Sequence, residues 1–137
     1  DIDDRRVLRV HDDLPLDTAA QAYGDDLDTF FDTGICPIGY LGMGTDGHTA
    51  SLFTLADADR LDCTALAVRN QGGFNRVSVS SAVLARVKRL IFLVTGEGKV
   101  EIMRRLLHDP DSIPAGRAVE GHPFVELWTD IAADRLR

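Results

Sequence analysis

The chain has 137 residues, 45% of them hydrophobic, which fits one domain with an ordinary core. A formal net charge of -7 excludes the usual nucleic-acid surface, where Lys and Arg cluster against phosphates, and solubility is the simplest reading of the acidity. The apolar runs are far too short to cross a bilayer. Cys36 and Cys63 lack C-x-x-C spacing and read as reduced core residues of a cytoplasmic protein. No charged-then-apolar leader precedes a small-residue cleavage site, which argues against secretion. Asp1 stands where an initiator Met would, so the chain is expected to be processed or to be a piece of something longer. The acidic groups Asp1 to Asp4, Asp12-Asp13 and Asp25 to Asp32 read as solvated faces.

Val7 to Val10 alternates as a short strand. Asp17 or Thr18 is expected to cap a helix running to about Phe31, with Ala20, Tyr23, Leu27, Phe30 and Phe31 at helical spacing and Gly34 ending it. Ile35 to Leu41 reads as a buried strand with Pro37 near its start. A glycine-rich turn follows, and Thr49 to Leu55 is predicted as a short helix whose N-terminus points at that turn. Ala65 to Val68 and Arg76 to Ser80 are strand candidates separated by an Asn70-Gln71-Gly72-Gly73 loop. Ser81 to Arg89 carries the helical stripe Val83, Leu84 and Val87. Leu90 to Val94 is apolar on both faces, as central parallel strands are. Thr95-Gly96-Glu97-Gly98-Lys99 leads into a helix from about Val100 to Leu107. Pro110 and Pro114 mark a loop with a single turn between them, and Val125 to Trp128 reads as an edge strand before a terminal helix. There is no internal repeat. Strands alternating with helices make residues 1-137 a single α/β domain, with helices layered on a mostly parallel sheet.

The turns at Gly42 to Gly47 and Gly96 to Gly98 both follow a buried strand and precede a helix. In open parallel sheets such loops share the carboxyl edge, where ligands bind, so the two are expected to converge. Gly42, Gly44 and Gly47, with Thr45, expose backbone N–H groups suited to an anion. In the same turn His48 can take a proton from water, and Asp46 lies close enough in sequence to orient it. The alternative is a structural His that caps the next helix. Lys99 can reach an anion at the second turn or remain a solvated first-turn Lys. Arg76 offers a second positive charge or is an exposed strand residue. Gly96 to Lys99 lacks the G-x-x-x-x-G-K-[ST] spacing of a nucleoside triphosphate site, and no acidic residue on a second strand supports a dinucleotide. Ser51 lacks the elbow of a nucleophilic serine and reads as a packing residue. His11, His108 and His122 read as surface residues, and no set of residues has the spacing of a metal site.

Gly42-Met43-Gly44-Thr45-Asp46-Gly47-His48-Thr49-Ala50-Ser51-Leu52-Phe53 resembles the signature of the glucosamine-6-phosphate isomerase/6-phosphogluconolactonase superfamily. Val94 to Lys99 with Ile113-Pro114-Ala115 is similar to its later phosphate-binding segment, and Asn75 to Val79 to its middle strand. Deaminases of the superfamily continue the motif with Phe-Asn-Glu. The continuation Ser51-Leu52-Phe53 resembles the lactonase branch instead. The resemblance implies a Rossmann-like fold of the isomerase/CoA-transferase-like type and hydrolysis of 6-phospho-D-glucono-1,5-lactone to 6-phosphogluconate in the oxidative pentose phosphate pathway. It implies no metal or organic cofactor, His48 as general base with Asp46, and Lys99 as a phosphate ligand. Thr54 replaces the family's usual Pro. The front portion that carries a Gly-Gly-Ser-Thr phosphate loop and a substrate-binding Arg is expected to be absent, leaving the site half built and a sheet edge unpaired. A glucosamine-6-phosphate isomerase/deaminase, or a non-catalytic domain that binds sugar phosphates or assembles with itself or a partner chain through that edge, are the competing readings.

Overall fold

The computed structural model describes Asp3 and residues 7–137. Helix α1 (Leu16–Thr33) starts at Pro15 and not at the expected Asp17 or Thr18. Pro15 has no N–H to leave unsatisfied, and its carbonyl accepts from the Ala19 N–H at 2.8 Å. Ala19, Ala20, Gly24 and Leu27 form the buried face, while Phe30 stays exposed and Phe31 half-buried. Gly34 ends the helix as expected.

That buried face packs on a hairpin of β2 (Ala65–Gln71) and β3 (Phe74–Val79). The strands pair antiparallel, with Leu66 opposite Ser78 and Val68 opposite Arg76, and a bulge lies between Val68 and Gln71. The expected four-residue loop shrinks to Gly72-Gly73. Both have positive φ (62° and 84°), the backbone that tight hairpins need and that glycine adopts without strain.

The main sheet is parallel throughout, in the order β1 (Gly39–Leu41), β4 (Leu90–Leu93), β5 (Val125–Trp128). Between β3 and β4 lies the single-turn helix α3 (Ser81–Leu84), capped by the Ser80 hydroxyl. β4 is the central strand that its composition predicts: Leu90, Ile91 and Phe92 are at most 1% exposed. Through Leu90 and Phe92 it joins Leu41, Leu52, Met103, Ile113 and Ala115 in one core. Past β4 the chain enters α4 (Val100–His108) through the turn Glu97–Lys99. α4 buries Val100, Ile102 and Met103, and the short helix α5 (Pro114–Arg117) follows. The α/β expectation with a mostly parallel sheet is borne out.

Several local expectations fail. Val7 to Val10 forms no strand, and its apolar side chains are exposed. The expected buried strand Ile35–Leu41 shortens to β1, an edge strand, with Ile35, Ile38 and Tyr40 exposed. Pro37 offers no donor for a ladder, and β4 covers only one side. Thr49 to Leu55 is not a helix: Thr49 bridges Leu52 in a tight reversal. The helix follows as α2 (Leu55–Ala58), where Thr54 and Asp57 form a reciprocal capping box. The Ser81–Arg89 helix stops at Leu84. The terminal helix is a 3-10 turn, Ala133–Leu136.

Asp12, Asp13, Asp25, Asp28 and Asp32 are exposed as expected, though Asp28 also pairs with Arg86. Asp1 and Asp4 lie outside the described residues. Cys36 and Cys63 are free thiols. Among the described residues no helix is long and apolar enough to cross a membrane. Ile91 and Leu93 of β4 alternate with its core residues, and their face also carries Tyr40 and Trp128, whose rings meet edge-on at 6.5 Å. Tyr40, Leu93 and Trp128 are 62%, 54% and 47% exposed.

Candidate active site

β1 delivers the chain to the carboxyl edge at Leu41, and residues 42–48 fold there into a turn held by its own backbone. The Gly44 N–H donates to the His48 carbonyl (2.9 Å), and the Gly47 N–H donates to the Gly44 carbonyl (3.1 Å). The buried Thr49 hydroxyl donates to the Gly42 carbonyl at 2.8 Å. Asp46 Oδ1 lies 2.6 Å from His48 Nδ1 and also accepts the His48 backbone N–H at 3.3 Å. A carboxylate only accepts, so Nδ1 carries the proton and the lone pair of the neutral ring sits on Nε2. Among the described residues Nε2 has no hydrogen-bond partner. Burial pushes the Asp46 carboxyl up, but the His48 ring, its backbone N–H and its charge outweigh that and hold the group below the ordinary Asp range.

The glycines do different work from that expected of an anion cradle. A Cβ on Gly44 would collide with both Asp46 Oδ1 and His48 Nδ1, so the pair needs glycine there. Gly47 has φ of +85°, its Cβ position abuts Ile113, and its carbonyl accepts the Ala115 N–H at 2.8 Å. The N–H groups of Gly44 and Gly47 are thus engaged inside the fold and not turned to a ligand. Gly42 has open space around its Cα, and Thr45 is exposed at the tip of the turn. Gly42, Met43, Gly44, His48 and Ala50 line an open cleft of about 350 Å³.

The second turn meets the first, as the shared sheet edge requires. Lys99 Nζ donates to the Met43 carbonyl at 2.6 Å, leaving two of its three N–H donors for other partners. Asp130 fixes this turn by accepting the Gly96 N–H at 2.9 Å, and Gly96 has φ of +94°. Arg76 is exposed on β3 and outside the cleft lining. Its guanidinium lies over the Phe53 ring, 5.8 Å from the centroid, and Phe53 in turn packs on His48 with centroids 4.4 Å apart. Ser51 packs as expected, its N–H bound to Ser78 Oγ at 3.1 Å.

His108 and His122 are not plain surface residues. Each places Nε2 at 2.8 Å from a main-chain carbonyl, of Leu136 and Val87 respectively, and so ties two segments together. His11 is exposed near Asp26. Among the described residues no three His, Cys, Asp or Glu side chains gather as a metal site. Sequence reasoning missed the Met43 carbonyl, Asp130 and the role of Phe53. It also missed Ala50, the non-glycine residue at positive φ (50°) beside the cleft. A hydrophobic letter and a main-chain carbonyl carry no sequence signal for such roles.

Against known proteins, residues 1–128 match the family model described as glucosamine-6-phosphate isomerases/6-phosphogluconolactonase. The human 6-phosphogluconolactonase is 31% identical over 98% of this chain and 55% of its own length. That of Synechocystis is 34% identical over 86% of this chain and 52% of its own. The chain therefore spans about half the length of the curated relatives it matches. Among solved structures, 6-phosphogluconolactonase from Plasmodium vivax superposes with a TM-score of 0.79 at 18% identity, over 97% of this chain and 58% of that one. The enzyme from Thermotoga maritima gives 0.76 at 24% identity, over 88% and 55%. At these identities the structural likeness speaks to the fold alone.

Proposed function

The chain belongs to the glucosamine-6-phosphate isomerase/6-phosphogluconolactonase family, and from that premise we propose that it carries the proton-transfer half of a sugar-phosphate lactonase site. The substrate is 6-phospho-D-glucono-1,5-lactone and the product 6-phosphogluconate. One observation carries the reading: the 2.6 Å pair of Asp46 Oδ1 and His48 Nδ1, on a His48 that lines an open cleft.

In this mechanism His48 Nε2 takes a proton from water as the water oxygen bonds to the lactone carbonyl carbon. Asp46 stabilises the imidazolium that forms and holds its orientation. When the tetrahedral intermediate collapses, the bond to the ring oxygen breaks and the imidazolium proton passes to that oxygen. The reaction balances with substrate and water alone. Lys99, bonded to the carbonyl of the cleft residue Met43, meets the phosphate with its remaining donors. Gly42 and Thr45 leave the substrate room at the exposed side of the turn. Arg76 adds positive charge through its position over Phe53.

Residues 1–137 act in this reading as one unit, the later part of the family domain, in the cytoplasm, where free Cys36 and Cys63 stay reduced. The acidic surface gives nucleic acid no footing. A second reading, a domain that assembles with itself or a partner chain through a sheet edge, is favoured by β1, which among the described residues pairs with β4 alone.

The test is lactone hydrolysis above the spontaneous rate, compared with His48→Ala. Loss of a positioned general base is expected to lower the rate about 10²–10⁴-fold with circular dichroism unchanged. Equal turnover by the variant overturns His48 as the base. Ammonia release from glucosamine 6-phosphate is expected to be nil, and its detection would move the chain to the deaminase branch.

A further inference from the structure

We propose that Phe53 is a positioning residue that clamps the His48 imidazole, keeping Nδ1 on Asp46 and Nε2 open to the cleft. The proposal deepens the reading of His48 as a base and rests on it. One hydrogen bond to Asp46 is a loose constraint by itself, because the Asp46 side chain is 61% exposed and histidine χ2 is a broad torsion. The Phe53 ring supplies the missing surface, with its centroid 4.4 Å from that of the imidazole and the planes tilted by 37°.

The backbone is arranged to bring the two rings together. Between them Ala50 adopts a left-handed conformation, and the Leu52 N–H returns to the Thr49 carbonyl at 2.9 Å. Leu52 is fully buried and anchors the reversal. Asp57 Oδ2 then accepts the Phe53 N–H at 3.1 Å, so the capping box of α2 also fixes the origin of this side chain. The Arg76 guanidinium over the same ring, 5.8 Å from its centroid, adds a cation–aromatic contact that steadies the ring itself. A left-handed backbone is strained for a residue with a Cβ, and here it stands beside the cleft, where local strain serves the geometry of a site.

The decisive measurement is the imidazole nitrogen spectrum of the whole chain at neutral pH, which reports the tautomer without any need for turnover. In the parent chain the Nδ1–H form of His48 is expected to dominate. Phe53→Ala is expected to move the nitrogen shifts toward those of a free histidine side chain, in which Nε2–H predominates. Phe53→Tyr, which keeps the ring, is expected to restore the parent shifts, and Phe53→Leu, which keeps bulk without a flat face, to fall between. Where lactone hydrolysis is measurable, Phe53→Ala is expected to lower kcat about 10–100-fold with little change in KM. Parent-like nitrogen shifts in a folded Phe53→Ala or Phe53→Leu overturn the proposal. If Phe53→Ala does not fold, the Leu and Tyr pair decides it. Shifts that move as expected in a chain with no lactonase activity support the clamp and overturn the proposed function instead.

Discussion

At the level of single residues the site is built from short-range necessities. Asp46 and His48 are two positions apart, so a tight turn is enough to join them, and Gly44 is the residue that leaves room for both side chains. The sequence brings Asp46 within reach of His48, because turn chemistry is local, whereas Gly44 reads there as an anion-binding donor and only the fold shows it making room. The lowered Asp46 pKa sets a sign for pH dependence. A depressed carboxylate contributes stability that is present above the ordinary Asp value of about 3.9 and is lost as pH falls through its lower folded value. The melting-temperature difference between the parent chain and Asp46→Asn is therefore expected to shrink as pH falls below the ordinary Asp value of about 3.9 and to vanish in stronger acid. A difference that persists unchanged in strong acid would contradict the pairing. Ala50 gives a second test. Relief of its left-handed strain by Ala50→Gly, less the added freedom of glycine in the unfolded chain, nets about 0.5–1 kcal/mol. A rise of roughly 2–4 °C in calorimetry is the expected result, and a fall would show that the cost lies elsewhere.

At the level of elements, legibility followed burial. β4 is readable because a strand buried between two partners is apolar throughout, and Leu90 to Phe92 are buried on both sides while Leu93 at its end is apolar but exposed. Phe92, with no exposed surface at the centre of the sheet, is the sharpest probe of that strand. Phe92→Ala is expected to cost about 3–5 kcal/mol in denaturant unfolding, and a loss below about 1 kcal/mol would mean that the core closes around the gap. The helix α4 was equally clear from its stripe. The short elements were not. Thr49 to Leu55 has a helical composition, yet the Thr49–Leu52 bridge takes the chain back toward His48 before Thr54 starts α2. Val7 to Val10 alternates like a strand but finds no partner strand, and alternation describes only a face, not its neighbour.

At the level of the whole molecule, the described residues form a parallel sheet of three strands in which β1 pairs with β4 alone, and Tyr40, Leu93 and Trp128 stand exposed on one face. Parallel sheets are normally covered on both faces, and an uncovered edge templates pairing. Concentration-dependent association is expected in sedimentation velocity, weakened by Tyr40→Lys, which places a charge on the edge strand. A chain that stays monomeric at every accessible concentration would sink the edge as a contact. By itself the sequence determined the α/β class, the central strand, the family and the Asp46–His48 turn, because each rests on burial pattern or on neighbours along the chain. Only the tertiary structure decided that β1 is an edge, that Lys99 Nζ reaches the Met43 carbonyl across 56 positions, and that Phe53 lies against His48. Those contacts depend on which strands lie side by side and on how the backbone reverses at Ala50, and a linear pattern of residue types holds neither.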